Sequence, residues 1–271
     1  MADPHRTPID PRTGEGGEGP LLDRFRLDGR VAIITGASSG LGAGFARALA
    51  SAGATVVLAA RRRERLESLA EELRADGGTA STVSCDVVDP QQCADLVQAA
   101  MDEHGRVDVL INNAGLGTAV PALKESPEDF RRVVDVNLHG AYWMAKECAA
   151  VMGPGSSIVN IASILGLTAG FAPQAAYSSS KAAVLGLTRD LAAQWGSRRG
   201  IRVNAVAPGY FASEMTDEIP EALLETITSR TLFGRLGRQP ELDSAVLFLA
   251  SDASSFITGT TLAVDGGTTL H

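Results

Sequence analysis

Residues 31–50 read VAIITGASSGLGAGFARALA. The run Val31–Thr35 is apolar without alternation, as a strand covered on both faces should be. It passes directly into Gly36, Gly40 and Gly42 and then into a helical stretch continuing through Leu49. Glycines at a strand-to-helix turn allow tight backbone geometry. They also let a pyrophosphate approach the free N–H groups at the helix start. A Gly-rich turn that only packs helix on sheet is the competing explanation. The position after the first strand favours the phosphate site.

Outward from this unit, short β-branched runs alternate with longer amphipathic segments, the pattern of a parallel sheet flanked by helices. Strands are expected at 31–35, 55–60, 79–85, 107–113, 157–163, 201–208 and 261–266. Helices are expected to begin near Leu41, Arg63, Pro90, Pro127, Gln174 and Pro240. Two of them look long: Pro127 to about Val151, and Gln174 to about Gly196. No internal repeat or linker divides the body. The expectation is therefore an α/β fold, a single-domain Rossmann-like doubly wound parallel sheet of about seven strands over residues 24–271, helices on both faces. Residues 1–23, rich in Pro, Gly and polar side chains, read as a flexible tail.

Composition narrows the function. The chain has 271 residues, 45% of them hydrophobic, enough for one substantial core. A formal charge of -8 disfavours nucleic acid and anionic membrane surfaces as partners. No apolar run approaches the length of a membrane span. The three cysteines, Cys85, Cys93 and Cys148, suit neither a disulfide framework nor a metal site, and a cytoplasmic location fits them. His5, His104, His139 and His271 have no ligand spacing, so no metal is expected. Trp143 and Trp195 read as core or interface anchors.

The turn has the spacing TGxxxGxG, which resembles the nucleotide turn of the short-chain dehydrogenase/reductase family. The resemblance extends from about residue 25 to the C-terminus. It implies cofactor contacts from Gly36, Ser38, Ser39, Gly40, Leu41 and Gly42. Asp86 and Val87 match the family's adenine-side segment, with a helix cap as the alternative for Asp86. The NNAG stretch at Asn112–Gly115 matches its cleft-lining element and adds Asn113, Ala114 and Gly115. Pro208, Gly209, Phe211 and Ser213 match the segment that closes over the nicotinamide. After the second strand an NAD-binding chain would usually carry an acid, but here Ala60 is followed by Arg61. A guanidinium suits a 2′-phosphate, so NADP(H) is favoured over NAD(H). Pairing of Arg61–Arg63 with Glu64 and Glu67 is the competing role.

Tyr177 and Lys181 lie four apart at the start of a helical stretch and so share a face. A phenol is a weak acid with an ordinary pKa of about 10, and a neighbouring ammonium would lower it. Alone, this spacing is commonplace. Ser163, fourteen residues upstream, resembles the family's serine that shares the substrate oxygen with the tyrosine. Asn137 matches the asparagine whose disturbed helix completes a proton relay. The resemblance thus implies a catalytic set of Asn137, Ser163, Tyr177 and Lys181, with Tyr177 and Lys181 also touching the cofactor. The serines between them, Ser178–Ser180, read as spacers.

Substrate contacts are expected from Ser163, Leu165, Gln174, Tyr177, Tyr210 and Met215, a set with little fixed charge. Residues 213–233 read as a helical lid. The implied activity is interconversion of a ketone and a secondary alcohol. The chain resembles both ketoacyl reductases acting on acyl thioesters and gluconate-type dehydrogenases of sugar acids and polyols. A non-catalytic dinucleotide-binding sensor or scaffold is the alternative from another class. The two long helices hint at an oligomer contact, with burial inside the monomer as the rival reading, and the resemblance implies a homo-oligomer, a tetramer with a dimer as runner-up.

Overall fold

Seven strands form one sheet: β1 (Val31–Thr35), β2 (Thr55–Ala60), β3 (Thr79–Ser84), β4 (Val109–Asn112), β5 (Ser157–Ile161), β6 (Arg202–Pro208) and β7 (Thr261–Val264). The computed structural model describes residues 20–212 and 221–270 of the chain. Most of the expected tail, His5, His271, and the site candidates Ser213 and Met215 lie outside the described residues. Every pairing is parallel, in the order β3-β2-β1-β4-β5-β6-β7. The order runs outward from β1 in one direction and from β4 in the other. Ligands of such sheets bind where that reversal leaves a crevice beyond the carboxyl ends of the strands.

The helices are α1 (Gly40–Ser51), α2 (Arg63–Ala75), α3 (Pro90–His104), α4 (Pro127–Val134), α5 (Gly140–Val151), α6 (Ala175–Arg199), α7 (Glu221–Arg230) and α8 (Gln239–Ala250). The pleat explains why the strands lack alternation. Ala32 and Ile34 of β1 face α1, α2 and α8. Val31 and Ile33 face α3, α5 and α6. Adjacent residues therefore enter two different cores, and each such buried branched side chain contributes about 1.5–3 kcal/mol.

Two buried polar links tie this framework together. Asn112 donates to Asn160 at 2.9 Å, and Asn160 donates to Thr188 of α6 at 2.9 Å. Val31 N donates to the Asp108 carboxylate at 2.9 Å, and Arg106 pairs with the same group at 2.7 Å.

The sheet and helix order follow the sequence expectation, with differences at the edges. β4, β5 and β7 each end before the expected limit, because the chain peels away to build the rim. The expected helix from Pro127 to Val151 is not uniform: a five-residue π segment, Asp135–His139, joins α4 to α5. At the N-terminus, Leu21–Phe25 form a 3₁₀ turn, and the Phe25 ring lies 6.2 Å from that of Phe248.

Candidate active site

At the end of β1 the backbone is folded on itself. Gly36 has φ 65°, and a Cβ there would stand 2.8 Å from Ala114 Cα. A Cβ on Gly42 would overlap the Gly36 carbonyl oxygen. Asn113 Nδ2 donates to Thr35 O at 3.0 Å and to Gly36 O at 3.2 Å. The Asn113 and Ala114 N–H groups both donate to Thr35 Oγ1 at 3.0 Å. The NNAG segment is thus the clamp that fixes the Gly-rich turn, and Thr35 is part of it.

Ser39 begins α1 in extended conformation, and its side chain makes no capping bond. The start of α1 therefore has no side-chain cap, the condition in which helix N–H groups can receive anionic oxygens. The Ser38 and Ser39 hydroxyls instead accept from Arg62, at 3.0 and 2.7 Å. Arg63 pairs with Glu67 at 2.7 Å. Arg61 is exposed. The cation folded onto the turn is therefore Arg62, which the sequence reading passed over. The run of three arginines was its signal, but the run does not say which one turns back.

Further round the rim, Asp89 caps α3, accepting from Gln91 N at 2.9 Å and Gln92 N at 3.4 Å. Asp86 accepts from Val88 N at 3.3 Å. Val87 is buried against Gly140, and Leu41 packs on the core beneath α1. Pro208 and Gly209 lie where β6 leaves the sheet, with Gly209 N donating to Val264 O at 2.9 Å. The Phe211 ring is buried over Gly237.

The expected catalytic side chains converge. Tyr177 near the start of α6 faces Ser163 just beyond β5, close enough for the serine hydroxyl to act on its phenol. The Ser163 hydroxyl also accepts from Leu165 N at 3.1 Å. Lys181 is buried, its Nζ donating to Ile161 O at 2.7 Å and lying 5.7 Å from the Tyr177 ring centroid. A Cβ on Gly115 would stand 3.5 Å from both Lys181 Nζ and Asn137 Oδ1, so these residues share one space.

Asn137 faces inward from the π segment. It accepts from Leu116 N at 2.7 Å and donates to Leu116 O at 3.0 Å. It also donates to Ser180 Oγ at 2.9 Å, and Ser180 donates to Tyr177 O at 2.7 Å. Ser180 is therefore not a spacer. It links Asn137 to the tyrosine's own turn of helix, across 43 residues of chain that no local pattern bridges.

The electrostatics differ from the expectation. Burial raises the Tyr177 phenol, and the Ser163 hydroxyl opposes that rise. Burial also pushes the Lys181 ammonium down to about 8. A buried phenol resists ionisation, and here that outweighs any lowering by the lysine.

On the substrate side, Leu165, Gly170, Phe171 and Tyr210 line a small cleft. Burial raises the Tyr210 phenol, and nearby Tyr177 adds to the rise. Gln174 pairs with Val120 through an isolated bridge at the start of α6. A larger groove of about 530 Å³ between α1 and α8 holds none of the expected site residues. Among the described residues no cluster of three metal-ligating side chains occurs, and no helix is long and apolar enough to cross a membrane.

A model of short-chain dehydrogenases, described as enoyl-(acyl carrier protein) reductase, matches residues 36–269. The chain belongs to the short-chain dehydrogenase/reductase family. As a member it is an oxidoreductase acting between CH–OH and C=O groups. It is 38% identical over 245 residues to a 3-oxoacyl-acyl-carrier-protein reductase of Thermotoga maritima, covering 90% of this chain and 99% of the relative. It is 40% identical over 254 residues to a gluconate 5-dehydrogenase of Gluconobacter oxydans, covering 92% and 98%. A solved gluconate 5-dehydrogenase from Burkholderia cenocepacia, in complex with NADP and tartrate, superposes with a TM-score of 0.88 at 38% identity, covering 93% of this chain and 100% of that one.

Proposed function

We propose that this short-chain dehydrogenase/reductase interconverts a ketone and a secondary alcohol with NADP(H), Tyr177 serving as proton donor and acceptor. The observation that carries the proposal is the convergence of the Tyr177 phenol and Ser163 with buried Lys181, 5.7 Å from the phenol ring, and buried Asn137.

The cofactor site passes a test of fit: a cradle that a Cβ would fill, an uncapped helix start, and a guanidinium over two serine hydroxyls. Gly36, Gly40 and Gly42 would admit the pyrophosphate, and Arg62, with Arg61 beside it, would hold a 2′-phosphate. The bound nicotinamide nucleotide supplies or accepts the hydride. Ser163 orients the carbonyl oxygen, and Tyr177 gives that oxygen its proton in reduction. The raised phenol keeps this proton in place at neutral pH, which suits the reductive direction. Lys181 stands beside the phenol ring, and Asn137, through Ser180, holds the turn of helix that carries it.

The subclass lies between 3-oxoacyl-thioester reduction and oxidation of sugar acids or polyols, since relatives of both kinds match at similar identity. We extend the proposal to one dinucleotide-binding domain over residues 24–271, acting as a cytoplasmic homotetramer. Phe130 and Tyr142, 38% and 36% exposed on α4 and α5, support the oligomer. Tyr177→Phe is the direct test. It should lower kcat/KM by about 100- to 10,000-fold while the NADPH dissociation constant stays within a few-fold. Retained turnover would remove Tyr177 from the mechanism.

A further inference from the structure

The expected substrate-facing residues carried almost no charge, yet the cleft beside Tyr177 has a cation in its wall. Arg230, the last residue of the lid helix α7, is exposed, and its guanidinium lies 4.8 Å from the ring centroid of Phe171. The Phe171 ring lies in turn 6.1 Å from that of Tyr210. Arg230, Phe171, Tyr210, Leu165, Gly170 and Thr268 together line the cleft, whose volume is about 40 Å³. Leu165 is tied to Ser163 by the bond from its N–H, and the Tyr210 phenol lies near enough to that of Tyr177 for the two to oppose each other's ionisation. The cleft therefore opens next to the position of the reacting oxygen.

Among the described residues Arg230 has no carboxylate partner. In a chain of net charge -8, nine other described arginines form ion pairs, and Arg230 is the arginine that stands in the wall of this cleft. A cation at a helix C-terminus is favoured by the helix dipole. That role would be met by a guanidinium folded back on the last carbonyls, whereas this one lies over an aromatic face. Stacking fixes the planar fork and leaves its N–H edge available for an oxyanion.

We propose that Arg230 receives a carboxylate of the substrate, so that the enzyme acts on hydroxy acids and their keto counterparts in preference to neutral alcohols and ketones. The size of the cleft favours a carboxylate, a group of a few heavy atoms. The inference rests on the oxidoreductase reading above and deepens it.

The test compares matched pairs in the NADP(H)-loaded enzyme. These are gluconate against sorbitol in oxidation, and acetoacetate against ethyl acetoacetate in reduction. A third pair, acetoacetyl-coenzyme A against its N-acetylcysteamine thioester, reports a carrier phosphate instead. The wild type should favour the carboxylate member of at least one pair by about 10-fold or more in kcat/KM. In Arg230→Gln that ratio should collapse toward one through a rise of about 10- to 100-fold in KM for the carboxylate, with kcat little changed. Arg230→Lys should keep part of the preference. Thermal unfolding and NADPH affinity report whether each variant is folded.

Equal use of carboxylate and neutral members by the wild type overturns the proposal. So does a ratio unchanged in Arg230→Gln, or a charge preference confined to the coenzyme A pair. If the folded wild type turns over none of these compounds, the proposed substrate subclasses fail separately. The carboxylate site is then judged by calorimetric titration of gluconate into the NADP⁺-saturated protein. Binding that weakens in Arg230→Gln supports it, and absent or unweakened binding overturns it.

Discussion

Replacing Lys181 with methionine should remove a pH dependence of stability that the structure makes specific. Lys181 is 4% exposed, and its Nζ donates to Ile161 O at 2.7 Å. Burial brings its pKa from an ordinary 10.5 down to about 8. The fold thus disfavours the charged form. Between pH 8 and 10.5 the unfolded chain holds more protons at this site than the folded one, so stability rises with pH across that window. The protonated lysine costs about 3 kcal/mol at pH 7, and most of this is recovered by pH 10. Methionine is of similar length and does not titrate. Its loss of the bond to the Ile161 carbonyl is an offset of about 1–3 kcal/mol that does not vary with pH. Urea unfolding of both proteins at pH 7, 8, 9 and 10 measures the difference, in which other titrating groups largely cancel. The wild type should gain about 2–3 kcal/mol relative to Lys181→Met between the extremes, roughly 5–10 °C in Tm. Parallel curves, or a wild type that loses ground as pH rises, would refute the buried-ammonium account.

Two further outcomes follow from the site. Arg62→Ala should weaken NADPH about 10-fold and NADH much less, because only the phosphorylated ribose would engage the guanidinium; equal losses for both nucleotides would argue that Arg62 merely braces Ser38 and Ser39. Asn137→Ala deletes the bonds to Leu116 N, Leu116 O and Ser180 Oγ and should cost about 2–4 kcal/mol in chemical denaturation, with less than about 0.5 kcal/mol contradicting its place as the buried tie.

The sheet was legible because each strand is covered on both faces. Val31–Thr35 and Thr55–Ala60 are apolar at consecutive positions, and burial on opposite sides is the physical cause. The glycine positions were legible for a similar reason: Gly36 and Gly42 stand where backbone meets backbone. The π segment left no trace in the helical periodicity, since one loosened turn keeps the surrounding pattern intact, and only the resemblance at Asn137 pointed to a disturbed helix there. Arg62 was hidden because choosing among three arginines requires knowing how β2 ends above the turn. Ser180 and Arg230 had no local signal at all: their partners come from distant segments, Asn137 for one and Phe171 for the other. The phenol's behaviour was misjudged, since spacing reveals that a lysine is near but not how thoroughly both groups are removed from water.

The loosened turn at Asp135–His139 also limits how this site can be altered. A residue of regular α-helix turns the winding by about 100°. Residues bonded i→i+5 turn less per residue than those of an α-helix, so the segment takes up one extra residue while α4 and α5 stay in phase. Deleting one residue between Val134 and Gly140 would restore uniform winding and leave Met144, Ala145 and Cys148 sealed in the core, at the expense of the inward placement of Asn137. Winding the present count of residues as uniform α-helix would instead turn that stripe by about 100° and bring the three residues out together. Length here is a structural variable distinct from chemical identity, and the position of Asn137 depends on the count as much as on the asparagine.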